Sequence, residues 1–275
     1  VTAIEQGESS SADGPKHAAA APEVKTRAPL RGAAFEDTRR ALSTTIETPV
    51  APGTLRAVVI ENDGSEGAAT IVPSSGLYVG RSGCGLSFPN DPFVSPVHAL
   101  IRTHPEGIEI CDLDSRNGIY VRLDTPTRLA LGDAFLVGQQ LLRLEALGPE
   151  AESNLDGAGV FTDVDGVRAF GSVVEPAWAK LVRLAIGEFV ADSYLLADEV
   201  TTLGRDSGDI RFPGDAFLSR RHVQIERFES EHGIEALLTD LQSANGTYVR
   251  IRGSCVVPSG TFVRVGDEVL CLRND

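Results

Sequence analysis

The chain has 275 residues, 42% of them hydrophobic, and a formal net charge of −14. That length suits two cores better than one. The acidic balance, with no run of Lys or Arg, argues against nucleic acid as the main partner, because phosphate backbones need a basic surface or stripe. No stretch approaches the roughly 18 apolar residues of a membrane span and no signal-peptide pattern is seen, so the expected compartment is the cytosol, with no membrane partner. Cys84, Cys111, Cys255 and Cys271 form no CxxC pair and have no His at ligand spacing, so buried or half-buried free thiols are expected, with no metal site and no cofactor. Met is absent altogether, which reads as a domain fragment or a processed chain.

In chain order, residues 1–53 are rich in Ala, Pro, Ser, Thr, Glu and Gly and read as a disordered linker, broken only by a short helix expected around Phe35 to Leu42. From Leu55 the texture changes to short β-branched runs, "LRAVVI", "GLYVG", "HALI", "IEICDL" and "IYVRL", each broken by Gly, Pro, Asn or Asp. That pattern predicts an all-β sandwich or barrel.

The same texture then returns. Gly80-Arg81 matches Gly204-Arg205, and Ser95 and His98 match Ser219 and His222, all at an offset of 124. Asp112-Leu113 matches Asp240-Leu241, and "NGIYVR" from Asn117 matches "NGTYVR" from Asn245, at an offset of 128. Gly132-Asp133 is paired with Gly266-Asp267 at 134. Constant blocks separated by length changes in loops predict two copies of one β fold, residues 54–147 and 179–275, joined by an acidic, Gly-rich flexible linker, residues 148–178. Phe161, Phe170 and Trp178 of that linker are candidates to dock on a domain. The second copy ends soon after its Gly-Asp, so its closing strand is expected to be missing or shortened.

The repeated frame places Gly80-Arg81 and Gly204-Arg205 at the close of apolar runs, where Gly permits a sharp backbone path and the Arg projects into a loop cluster. Arg suits forked hydrogen bonding to phosphate or carbonyls. Ser95 and Ser219 add hydroxyls, and Arg220 adds a second cation beside Ser219. Asn117 and Asn245 supply amides that both donate and accept, suited to an extended peptide backbone. These parts describe an anion pocket joined to a peptide clamp, and a phosphate ester with three strong acceptors matches it.

The order Gly-Arg, Ser-x-x-His, Asp-Leu-x-Ser-x-Asn-Gly, Gly-Asp, occurring twice, resembles the forkhead-associated (FHA) domain, in the tandem arrangement of bacterial type. The resemblance implies two eleven-strand β-sandwiches that bind phosphothreonine peptides without catalysis. It implies that Arg205 holds the peptide beside the phosphothreonine, that Ser219 and Arg220 bind phosphate, that Asn245 holds the following backbone, and that His222 braces the loop. The first copy keeps Arg81, Ser95, His98 and Asn117 but has Pro96 where Arg220 stands and Ile119 where Thr247 stands, while Arg116 offers a replacement cation where the second copy has Ala244. Gly80, Gly118, Gly204 and Gly246 complete the supporting frame. The second site is therefore expected to be the fuller one.

Plainer readings stand beside these. Ser219 and His222 have no acid at triad spacing and no G-x-S-x-G elbow, so an enzyme is not expected. Arg221 reads as a solvated residue, since Val97 takes its place in the other copy. Asp112, Asp133, Asp240 and Asp267 read as turn residues. Thr44, Thr45 and Thr48 offer a phosphorylation site that would dock in cis. The function expected is phosphothreonine-peptide recognition by an adaptor or regulatory module in Ser/Thr kinase signalling. The alternative is a structural or assembly module that binds unphosphorylated protein partners.

Overall fold

The computed structural model describes residues 53–147, 176–231 and 233–274, and among them twenty strands and no helix. The segment expected to be disordered, the short helix around Phe35 to Leu42, the candidate sites Thr44, Thr45 and Thr48, and most of the linker with Phe161 and Phe170 lie outside the described residues.

The first repeat supplies β1 (Leu55–Ile60), β2 (Glu66–Ile71), β3 (Leu77–Gly80), β4 (Leu86–Ser87), β5 (Ala99–His104), β6 (Gly107–Asp112), β7 (Ile119–Arg122), β8 (Thr127–Leu129), β9 (Ala134–Val137) and β10 (Gln140–Glu145). The second supplies β11 (Ala179–Leu184), β12 (Val190–Leu196), β13 (Val200–Gly204), β14 (Ile210–Arg211), β15 (Val223–Ser230), β16 (Gly233–Asp240), β17 (Thr247–Arg250), β18 (Ser254–Val257), β19 (Thr261–Val265) and β20 (Glu268–Asn274). Each repeat thus contributes ten described strands where the resemblance implied eleven. Alternation shows directly in burial: Leu77 and Val79 of β3 point inward while Tyr78 between them is half exposed, the period-2 face expected of a sandwich.

The repeats stay in step through the described residues, which corrects two expectations. Gly132 pairs in position with Gly260, and Gly138 with Gly266, both pairs at φ values in the left-handed region and both at the offset of 128 already set by Asn117 and Asn245. The Gly-Asp dipeptides at 132 and 266 are therefore not equivalent. The closing strand is not shortened either: β20 runs seven residues against six in β10 and pairs with β19 and β1.

The repeats read at 54–147 and 179–275 do not coincide with the packed cores. One core joins β1, β3, β5, β6 and β7 to Cys255, Val257, Val263, Val265, Leu270 and Leu272 of the second repeat. The other joins β11, β13, β15 and β16 to Leu129, Phe135, Val137, Leu142 and Leu144 of the first. Strand pairing says the same, with β18 beside β6, β20 beside β1, β8 beside β16, and β10 beside β11. The two repeats have exchanged their last three strands. Trp178, expected as a docking residue, packs into the second core and donates its indole N–H to the Asp198 carbonyl.

One ten-stranded sheet, ordered β12-β11-β10-β9-β17-β7-β19-β20-β1-β2, runs through both sandwiches. Two five-stranded sheets, β18-β6-β5-β3-β4 and β14-β13-β15-β16-β8, cover its two halves. Its centre is the antiparallel β7–β17 pair, in which Val121 faces Val249, its own counterpart, and Arg122 and Arg250 face Tyr248 and Tyr120. An approximate two-fold axis passes there, so the loops before β7 lie at the opposite end of that pair from the loops before β17.

Candidate functional site

Each repeat builds a loop cluster around a buried histidine. His222 is fully buried; its Nδ1 accepts the Ser219 backbone N–H at 3.1 Å, and its Nε2 lies 3.1 Å from the Gly246 carbonyl. A backbone N–H can only donate and a carbonyl only accept, so the ring is neutral with its proton on Nε2. Burial, which disfavours the charged form, holds the His222 pKa below its usual value. His98 is held the same way between the Ser95 N–H at 3.0 Å and the Gly118 carbonyl at 3.1 Å. Both rings are braces, joining the serine loop to the asparagine loop. Neither ring nitrogen is placed to act on a serine hydroxyl.

The serines are fixed from the other side. Ser219 Oγ accepts the Ala244 N–H at 3.0 Å, and Ser95 Oγ accepts the Arg116 N–H at 3.0 Å, so each hydroxyl proton remains to be donated outward. Arg205 and Arg81 donate their backbone N–H to the Ser219 and Ser95 carbonyls, both at 2.9 Å, which brings arginine and serine side by side. Gly204 and Gly80 are required here by close approach: a Cβ on Gly204 would overlap the carbonyls of Arg220 and Ser207, and one on Gly80 would overlap that of Pro96. Their φ angles are not in the left-handed region, so crowding, and not a sharp backbone path, is the reason for glycine.

Asn245 Nδ2 donates to the Phe217 carbonyl at 2.7 Å, and Asn117 Nδ2 to the Phe93 carbonyl at 2.7 Å. Each bond fixes the amide and leaves its Oδ1 and second N–H for a ligand backbone. Asp240 holds the turn before Asn245: it accepts from Ser243 N at 2.8 Å, Ser243 Oγ at 2.7 Å and Thr247 Oγ1 at 2.6 Å. Burial alone would raise its pKa, but the hydroxyl bonds from Thr247 and Ser243 outweigh it and hold the carboxyl low. Asp112 caps the matching turn through the Ser115 N–H at 2.9 Å, while Ile119 is buried where Thr247 donates its hydroxyl. The structure therefore brings Arg81, Ser95, His98, Arg116, Asn117 and Gly118 into one cluster and Arg205, Ser219, Arg220, His222, Asn245 and Gly246 into another. Arg221 is exposed, as expected of a solvated residue.

Two kinds of residue escaped the sequence reading. Asp206 stands between the cations of the second site, 3.3 Å from Arg220 Nε and 3.6 Å from Arg205 Nε. The first repeat has Ser82 there, and the "GRD" against "GRS" contrast was the signal. Asp215 and Asp91 lie in the shared frames "FPGDAF" and "FPNDPF" and are buried. Asp215 accepts from Phe217 N at 2.9 Å and also from Gln139 N and Gln140 Nε2, both at 2.7 Å and both in the other repeat. Asp91 accepts from Phe93 N at 2.7 Å and from Asp267 N at 2.8 Å, again across the repeats. Each site loop is thus tied to the β-turn that the exchange delivers.

The four cysteines are free thiols, two buried and two half-buried, and no helix among the described residues is long and apolar enough to cross a membrane.

The family model for the FHA domain matches residues 77–138 and 201–266. No curated protein matches. The FHA domain of CT664 protein from Chlamydia trachomatis matches at 20% identity and a TM-score of 0.17, over 31% of this chain and 88% of that one. Mycobacterium tuberculosis EmbR in complex with low affinity phosphopeptide matches at 23% identity and a TM-score of 0.21, over 46% of this chain and 29% of that one. Two sandwiches, two braced serine loops and two family matches agree: the chain is a tandem FHA-domain protein.

Proposed function

We propose that the chain recognises phosphothreonine peptides through both loop clusters and acts as an adaptor or regulatory module in Ser/Thr kinase signalling. FHA domains generally bind such peptides. The observation that carries the reading is the convergence, in each repeat, of an arginine, an outward-donating serine hydroxyl and a clamped asparagine amide on one loop cluster. A phosphate on Ser219 and Arg205 would draw Arg220 from Asp206, an exposed pair that holds it weakly. In the first site Pro96 keeps the backbone path of Arg220 and removes its charge, and the exposed Arg116, whose N–H bonds the Ser95 hydroxyl, is the substitute cation. The second site is the stronger of the two on this reading.

The test uses the full chain, because each core is closed by strands of the other repeat. Fluorescence anisotropy is measured with labelled phosphothreonine peptides and their unphosphorylated forms. Arg205→Ala with Ser219→Ala removes charge-assisted bonds of about 1.5–3 kcal/mol each and should weaken binding at least tenfold at the second site. The first-site pair, Arg81→Ala with Ser95→Ala, should cost less. Partner capture that survives both pairs and phosphatase treatment would overturn the reading in favour of an assembly module.

A further inference from the structure

The pairing of β7 with β17 brings an arginine of each repeat onto the site of the other. Gly118 and Gly246 follow the clamp asparagines, with φ of 79° and 81°. A Cβ on Gly118 would strike the side chain of Arg250, with Cζ at 2.9 Å and a terminal nitrogen at 3.0 Å; one on Gly246 would strike that of Arg122, with Cδ and Cζ at 3.0 Å. Glycine is needed at both places for its backbone angle, and its lack of a Cβ leaves room for the guanidinium that lies over it. The β7–β17 pairing is the cause, since its antiparallel register carries the end of each strand to the start of the other.

Resting on the phosphothreonine reading above, we propose that Arg122 and Arg250 are specificity-determining residues supplied across the repeats, Arg122 to the second site and Arg250 to the first. Each selects an acidic side chain in the segment that follows the phosphothreonine. Asn245 grips the backbone of that segment, and the guanidinium covering the next residue is within reach of its side chains. Arginine at this place offers forked donors that match a carboxylate.

The two arginines are held differently. Arg122 lies over the ring of Phe262 at 5.3 Å from its centroid, which orients the guanidinium without neutralising it. The residue matching Phe262 in the first repeat is Ala134, and Arg250 is instead paired with Glu188 at 3.3 Å. The acid preference is therefore open at the second site and masked at the first.

The test uses the full chain with its first site silenced by Arg81→Ala and Ser95→Ala. The probes are a phosphothreonine peptide in a neutral Ala/Ser background and the same peptide with glutamates at the second to fourth following positions. The parent should prefer the acidic peptide by about three- to fivefold, the effect of one partly exposed charge pair. Arg122→Gln should abolish that preference while leaving the neutral peptide's affinity within error, Arg122→Lys should restore part of it, and Arg250→Gln should leave it unchanged. In the converse background, with Arg205→Ala and Ser219→Ala, Glu188→Gln should raise the preference for the acidic peptide. A preference unaltered by Arg122→Gln, or lost equally in Arg250→Gln, overturns the inference alone. A parent that binds neither phosphopeptide overturns the phosphothreonine reading and the inference with it.

Discussion

A thiol placed at Ser254 should cross-link to Cys111 within a single chain. Ser254 of β18 faces Cys111 of β6 directly in an antiparallel pair. Residues so placed have Cα atoms about 4.5–5.5 Å apart, inside the 4.4–6.8 Å span of disulfides. The loop closed by a 111–254 link is about 143 residues, for which chain entropy gives an upper limit of about 5 kcal/mol. Engineered links deliver less, so about 2 kcal/mol and a rise of about 4–8 °C in the thermal midpoint are expected. Burial raises the Cys111 pKa, so oxidation belongs at alkaline pH. Ser254→Cys should give a faster-migrating monomer on non-reducing gels, with a peptide joining the two positions by mass spectrometry. Without the exchange, Pro126, the residue matching Ser254 at the 128 offset, would face Cys111 instead. A Pro126→Cys chain that links to Cys111, or a Ser254→Cys chain that links only as dimers, would refute the exchange within one chain.

Asp215→Ala leaves Gln139 N, Gln140 Nε2 and Phe217 N without their acceptor. The expected loss is on the order of 3 kcal/mol in urea unfolding, with weakened binding at the second site, and Gln140→Ala should lose part of the same energy in a double-mutant cycle. Asp206→Ser should strengthen phosphopeptide binding at the second site about threefold, since Arg220 and Arg205 no longer hold a competing carboxylate; no change in the dissociation constant would show that Asp206 does not compete. His222 has its folded pKa depressed below its ordinary 6.5, so the unfolded state binds the proton more readily. Its stability contribution is fully present above about pH 6.5, begins to be lost below that value and is gone once the pH has fallen through the lower folded pKa, because protonating Nδ1 breaks the bond from Ser219. Urea midpoints between pH 5 and 7 should fall more steeply for the parent than for His222→Gln.

The candidate loop clusters were legible because the side chains that build them lie close together in each repeat. Arg205, Ser219, His222 and Asn245 lie within 41 consecutive residues, and the frame that carries them occurs twice. The exchange was not legible, and the inner faces explain why. Leu129, Phe135, Val137, Leu142 and Leu144 match Val257, Val263, Val265, Leu270 and Leu272 position for position, so either set suits either core. Apolar patterning specifies which face is buried and carries no record of which copy buries it. The misplaced Gly-Asp match had a different cause. Glycines at 132, 138, 260 and 266 all serve turns, and a dipeptide shared by chance outweighed the apolar alternation around it.

The exchange changes what the divergent first loop cluster implies. Pro96 in place of Arg220 suggests a repeat that has lost its binding role and could be dispensed with. Yet β8, β9 and β10 of that repeat close the core beneath the second site, and the turn between β9 and β10 supplies the two donors that hold Asp215. Asp215 in turn fixes the loop ending at Phe217, whose carbonyl clamps Asn245. A chain of hydrogen bonds and packing thus runs from the first repeat to the Asn245 amide of the second. The approximate symmetry at Val121 and Val249 makes the dependence mutual, through Asp91 and Asp267. The strands of each repeat thus hold the loop cluster of the other whatever its own loops carry, so Pro96 in place of Arg220 removes a charge from one cluster and leaves the scaffold of both intact.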